Sequence, residues 1–135
     1  MTDSPHQFLH PRHWKAAVGY SNGVAARGKM IFTGGIIGWN AAQEFETDNF
    51  AGQARQALSS IVEILAEAGA GPEHLVRLTW YVTDKHEYLG SLRELGRAYR
   101  DTIGRHYPAM ALVQVVALVE DRAKLEIEAT AVVPD

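Results

Sequence analysis

The spacing of hydrophobic positions changes along the chain, and the changes divide it into elements. Over residues 49–68, Phe50, Ala54, Ala57, Leu58, Ile61, Leu65 and Ala68 recur at helical steps, while Gln53, Arg55, Gln56, Ser59 and Glu63 fall mostly between them. That period gathers the apolar side chains on one stripe of a helix. Thr47 or Asp48 can cap its start, and Gly69 followed by Gly71-Pro72 stops it. A second stripe of Tyr88, Leu89, Leu92, Leu95, Tyr99 and Ile103 predicts a helix over residues 85–103, capped by Thr83-Asp84 and ended by Gly104. Elsewhere the period is that of strands. Residues 75–82 (LVRLTWYV) are dense in β-branched and aromatic side chains. Residues 17–26 and 30–37 read as a hairpin across Arg27-Gly28-Lys29, and residues 109–118 and 124–133 as two long strands across a charged turn.

The order β-β-α-β-α-β-β predicts an α+β fold. Each helix acts as a crossover that lays strands parallel, the end pairs form antiparallel hairpins, and both helices cover one face of a single mixed sheet. Residues 1–15, polar and holding Pro5 and Pro11, read as an N-terminal arm ahead of one domain over residues 16–135. In the last strand Leu125, Ile127, Ala129 and Ala131 suit the helix-packed face, and Lys124, Glu126, Glu128, Thr130 and Val132 alternate with them. Residues 109–118 are apolar on both phases, the pattern of a strand buried on both sides. A sheet covered by helices on one face only therefore predicts self-association through the other.

Totals narrow the function. A length of 135 residues, 47% hydrophobic and 21% charged, suits one folded domain. A net charge of -3 offers no basic field for a nucleic-acid backbone. The absence of cysteine excludes disulfides, thiolate metal sites and a cysteine nucleophile. No run is long enough to span a bilayer and none reads as a secretory signal, so a soluble cytoplasmic protein is expected, with no membrane partner. His10 and His13 flank Pro11, which breaks the helix a metal pair at that spacing needs, and no third ligand is evident. The glycines at Gly34, Gly35 and Gly38 lack the helix and lysine of a phosphate loop. Neither a metal nor a cofactor is expected.

Glu126 and Glu128 share one face of the last strand. Two carboxylates roughly 7 Å apart can raise the pKa of one toward the range a proton donor needs at neutral pH. On alternation alone, a solvated face or salt bridges to Lys124 and neighbouring subunits is the better explanation.

The frames YSNGVAARGKMIFTGG, QARQALSSIVEILAEAGAGPEHLVRLTWYVTD and YPAMALVQVVALVEDRAKLEIEATAV, in that order over about residues 20–133, resemble the Rid family (RidA/YjgF, also described as L-PSP endoribonuclease). The resemblance implies a chorismate-mutase-like protomer and a homotrimer whose sheets line a central barrel, with small-molecule clefts between subunits. It implies hydrolysis of reactive enamines and imines, such as 2-aminoacrylate, to 2-keto acids and ammonia. Carried onto this sequence, it points to Tyr20 in the first strand, to Thr33-Gly34-Gly35 in the second, to Tyr107, and to Glu126 as the acid that works with a water, with Glu128 structural beside it. One departure bears on mechanism. Where the family's deaminases carry PARS, with an arginine that clamps the substrate carboxylate, this chain reads PAMA, and Met110 holds the arginine's place. A guanidinium grips a carboxylate through two hydrogen bonds; a thioether offers only a soft apolar surface. Gln114, on Met110's strand phase, offers an amide to a ligand or pairs across a subunit interface. Arg105 either reaches back as a replacement cation or supplies charge at the end of the second helix. Trp39, beside the glycines, reads as packing. Three functions follow from this sequence: an imine or enamine hydrolase with altered substrate choice, a non-catalytic metabolite-binding or regulatory trimer, and a ribonuclease, which the acidic balance disfavours.

Overall fold

Glycines and prolines cut the first third of the chain into short strands. In the computed structural model, which describes residues 4–135, Gln7–Leu9 (β1) pairs antiparallel with Gly23–Ala25 (β2). There follow Lys29–Phe32 (β3), Ile36–Ile37 (β4), helix Phe50–Glu67 (α1), Leu75–Val82 (β5), helices Lys85–Leu89 (α2) and Leu92–Thr102 (α3), Ala109–Gln114 (β6) and Leu125–Val133 (β7). The main sheet runs β3-β7-β5-β6, with β4 also paired to β7. β7 is antiparallel to β3, β4 and β5, while β5 and β6 are parallel across the α2–α3 crossover.

The result is an α+β mixed sheet with its helices on one face. Both terminal hairpins of the sequence reading are replaced. β2 pairs with the arm rather than with β3, which pairs with β7 instead, and Gly19 at φ +79° ends the expected first strand before β2 begins. The first three residues of that arm lie outside the described residues. β6 and β7 do not pair with each other, since β5 lies between them. β6 stops at Gln114, four residues early, because its parallel partner ends at Val82 and turns into α2; Val116 and Val119 beyond it are fully exposed.

The core forms where the α1 stripe meets the sheet. Leu58, Ile61 and Leu65 from α1, Leu75 and Leu78 from β5, and Leu125 and Ile127 from β7 are all 0% exposed. Full burial of such side chains contributes about 1.5–3 kcal/mol each. Asn49, rather than Thr47 or Asp48, caps α1, its side chain accepting from Gly52 N–H at 2.8 Å. The other end closes with Gly69 at φ +72° and a bond from Ala70 N–H to the Leu65 carbonyl. Asp84 caps α2 as expected. The predicted second helix is broken at Gly90-Ser91, where the Ser91 hydroxyl donates to the Glu87 carbonyl at 2.8 Å. Beyond the break, Leu92, Leu95 and Tyr99 of α3 line one cavity with Met110 and Leu112 of β6.

Candidate functional site

Residues opposite one another on neighbouring strands point to the same side of a sheet. Leu78 and Trp80 of β5 point into the helix-packed core, and their β6 partners are Met110 and Leu112. Met110 and Leu112 therefore face the helices. Tyr81 is paired with Glu126 and Thr79 with Glu128, and these lie on the opposite, helix-free face together with Ala111 and Val113. The sequence-predicted site residues thus fall into two groups on two sides of one sheet.

The first group surrounds a cavity of about 630 Å³ between β6 and α3. Tyr20, Tyr107 and Met110 line it, with Trp80, Tyr88 and Tyr99 adding further aromatic surface. Leu92, Leu95, Gly96 and Leu112 complete most of its wall, and among the described residues none of those lining it carries a charge. Tyr99 stacks on Tyr107 with ring centroids 5.2 Å apart, and donates its hydroxyl to the His106 carbonyl at 2.5 Å. Burial, with the neighbouring Tyr107 adding to it, raises the Tyr99 pKa and keeps its proton in that bond. Tyr20 sits at the mouth, 45% exposed, and the residue after it is anchored. Ser21 donates its hydroxyl to the Tyr107 carbonyl, and its N–H bonds the Pro108 carbonyl at 3.1 Å.

The second group lies where β3 gives way to β4. Thr33 N–H bonds the Ala129 carbonyl at 2.9 Å, and Thr33 Oγ1 accepts from Ala129 N–H at 3.0 Å while donating to the Gly34 carbonyl. A side chain thus replaces one rung of the ladder, and Gly34-Gly35 bow out of the sheet. A Cβ on Gly35 would fall 1.9 Å from Glu126 Oε2, so the carboxylate rests over bare backbone that any other residue would deny it. Beside it, Tyr81 donates to Glu128 Oε1 at 2.7 Å. That bond, then desolvation, then the charges of Glu128 and Glu126 raise the tyrosine's pKa, so it stays a neutral donor.

Two further candidates lie apart from both groups. Gln114 Oε1 accepts from Lys85 N–H at 2.8 Å, which ties β6 to the start of α2. Trp39 packs on Phe45 at 5.9 Å in the loop before α1. Among the described residues no cluster of three or more histidine, aspartate or glutamate side chains is placed to hold a metal ion. Nor is any helix there long and apolar enough to cross a membrane. Trp80, Leu112 and the α3 residues of the cavity were legible in the sequence only as core positions. The available signal was Gly96, a glycine inside an otherwise apolar helical stripe.

A family model described as Endoribonuclease L-PSP matches residues 11–133. The chain belongs to the Rid family. Among its Rid relatives, the 2-iminobutanoate/2-iminopropanoate deaminase of Escherichia coli is 34% identical over 118 residues, covering 87% of this chain and 90% of that protein. The structure of YyfB, a Rid protein of unknown function from Yersinia pestis, superposes with a TM-score of 0.84 at 28% identity, over 95% of this chain and 98% of that one. TdcF of Escherichia coli, solved with serine bound, gives a TM-score of 0.66 at 30% identity, over 94% and 98%. The mixed sheet and its two main helices are those of Rid structures.

Proposed function

We infer that this Rid protein hydrolyses imines or enamines of uncharged, apolar carbonyl compounds, in homotrimers whose sites lie between subunits. The observation that carries this reading is the cavity wall at Met110: among the described residues none that lines it is charged, and the Arg100 guanidinium stands at its edge beside Gly96 on an exposed residue. A carboxylate seated against Met110 would lose its water without the ionic partner that an arginine supplies at that position, and a missing charge-assisted bond costs about 1.5–3 kcal/mol. An apolar imine loses nothing there. The 2-imino acids named for the Escherichia coli relative are thus poor substrates for this chain.

The chemistry assigned to Glu126 is proton transfer through water. The carboxylate takes one water proton as the oxygen adds to the C=N carbon and hands it to nitrogen, giving the carbinolamine. It then takes the carbinolamine hydroxyl proton and delivers it to nitrogen as the C–N bond breaks, so imine and water become carbonyl and ammonia. Glu126 and Met110 point to opposite sides of their own sheet. A site that uses both takes Glu126 from one copy and the cavity from another, which supports assembly with shared sites, the number three resting on the family resemblance. Thr33, Gly34 and Gly35 shape the backbone around the acid, and Tyr20 and Tyr107 the walls around the substrate. Gln114 serves the fold of α2 in this reading, and a ligand contact for it rests on the resemblance alone.

The test is ammonia release from neutral ketimines and from 2-iminopropanoate. Glu126→Gln should lower turnover of the neutral imine by about 10²–10⁴-fold with the melting temperature unchanged. Met110→Arg should improve kcat/KM for the imino acid by roughly 10–100-fold. Wild-type activity on the acid equal to that of an arginine-bearing relative would sink the reading of Met110. Binding of ketones without turnover in either form would place the chain among metabolite-binding trimers instead.

A further inference from the structure

Gly96 is an odd residue for the middle of α3, since glycine is among the poorest helix formers there. Three physical reasons can keep a glycine in a helix: a left-handed backbone, a close neighbour, or a need for open space. Gly96 is not among the residues with positive φ. A Cβ there would meet only Arg100 Nη1, at 3.2 Å, the far end of a flexible side chain on an exposed residue. No packed backbone demands the glycine, as Gln53 does at Gly38, where the nearest atoms are 2.6 Å away. What remains is room over the backbone, bordered only by the movable end of Arg100. Gly96 lines the cavity one turn from Leu92 and shares the wall with Tyr99, opposite Met110 and Leu112 of β6.

We propose that Gly96 sets the length limit of this cavity, and that the cavity takes a ligand with a flat aromatic group lying against the bare backbone of α3. The lining favours that shape. Tyr99 and Tyr107 already stack at 10° to each other, Trp80 and Tyr88 add ring surface, and Met110 supplies a polarisable thioether suited to a ring edge. The volume of about 630 Å³ lies within the range of small-molecule sites and exceeds what a three- or four-carbon substrate fills. The inference rests on the apolar-substrate reading above and names its class: aryl-substituted ketimines and the ketones they yield.

Binding of the product ketones tests this without turnover. Trp80 is 4% exposed and lines the cavity, so ligand entry should alter its fluorescence, with Trp80→Phe removing that signal. In the wild type, 4-phenylbutan-2-one should bind roughly tenfold or more tightly than butan-2-one, from burial of one ring. Gly96→Leu should erase that advantage, bringing the affinity ratio of the two ketones to about one. Should the leucine variant fail to fold, Gly96→Ala decides: it should weaken the aryl ketone about threefold while raising the melting temperature. Equal affinity for the two ketones in the wild type, or an undiminished aryl preference in the glycine variants, would overturn the proposal. Aryl-ketone binding by a protein that releases no ammonia would sink the hydrolase reading and leave this one standing. Turnover of small neutral imines with no aryl preference would do the reverse.

Discussion

His106 is 3% exposed, and its Nε2 lies 2.7 Å from the Leu75 carbonyl. A carbonyl only accepts, so Nε2 carries the proton and Nδ1 is left a buried acceptor without a partner among the described residues. Phe8 of β1 packs on the ring at 5.6 Å, and His6, Glu73 and His74 are the titratable groups near it. Burial lowers the His106 pKa below 6.5, opposed by its bond to Leu75. The sign follows from linkage: below pH 6.5 the unfolded chain takes a proton that the folded chain refuses. Stability is therefore full above the ordinary histidine range and falls as pH drops from it toward the folded value. Thermal melts between pH 7.5 and 5 should show a steeper loss for wild type than for His106→Gln. Parallel curves would mean that the ring titrates freely in the fold.

At the scale of elements, Gln53 joins three segments. The sequence puts it off the apolar stripe of α1, yet it is 0% exposed. Its Nε2 donates to the carbonyls of Thr47 at 3.1 Å and Arg122 at 3.0 Å, and its Oε1 accepts from Lys124 N–H at 2.9 Å. One amide thus fastens the loop before α1 and the approach to β7 to the helix. Gly38 lets this happen, because a Cβ there would strike the Gln53 backbone. Gln53→Leu keeps the volume and strands three backbone groups. Denaturant unfolding should register a loss on the order of 3 kcal/mol, since each stranded buried group costs about 1–3 kcal/mol and water reaches some of them. A loss below about 0.5 kcal/mol would mean that these backbone groups find water instead. The break at Gly90-Ser91 is the other device at this scale, and beyond it α3 walls the cavity.

For the whole molecule, the helix-free face of the sheet carries Met30 at 59%, Phe32 at 66% and Val113 at 45% exposure, beside Tyr81 and the two glutamates. Large apolar side chains held rigidly on strands are a contact surface rather than a solvated one. Under the proposed trimer they are buried by neighbouring copies. Phe32→Lys would place a charge at that contact, so light scattering should give the mass of a trimer for wild type and a smaller species for the variant. Hydrolysis should fall with assembly, because Glu126 and the cavity then no longer meet. A wild-type monomer at micromolar concentration, or a monomeric variant with full activity, would remove the shared site.

The helices, the long central and final strands, and the inward set Leu125, Ile127, Ala129 and Ala131 were legible in the residues themselves, because burial against one neighbour imposes a local period of 3.6 or 2. Period alone reads Met110 as packing and Glu126 as a solvated face; the family resemblance is what singles out both positions. Tertiary structure decided what local period does not encode: which strands pair, where β6 ends, why a glutamine is buried, and that Met110 and Glu126 face opposite sides. Pairing and facing depend on which distant segment fills the neighbouring place. For that reason β5, inserted between β6 and β7, turned an expected hairpin into two strands that never touch.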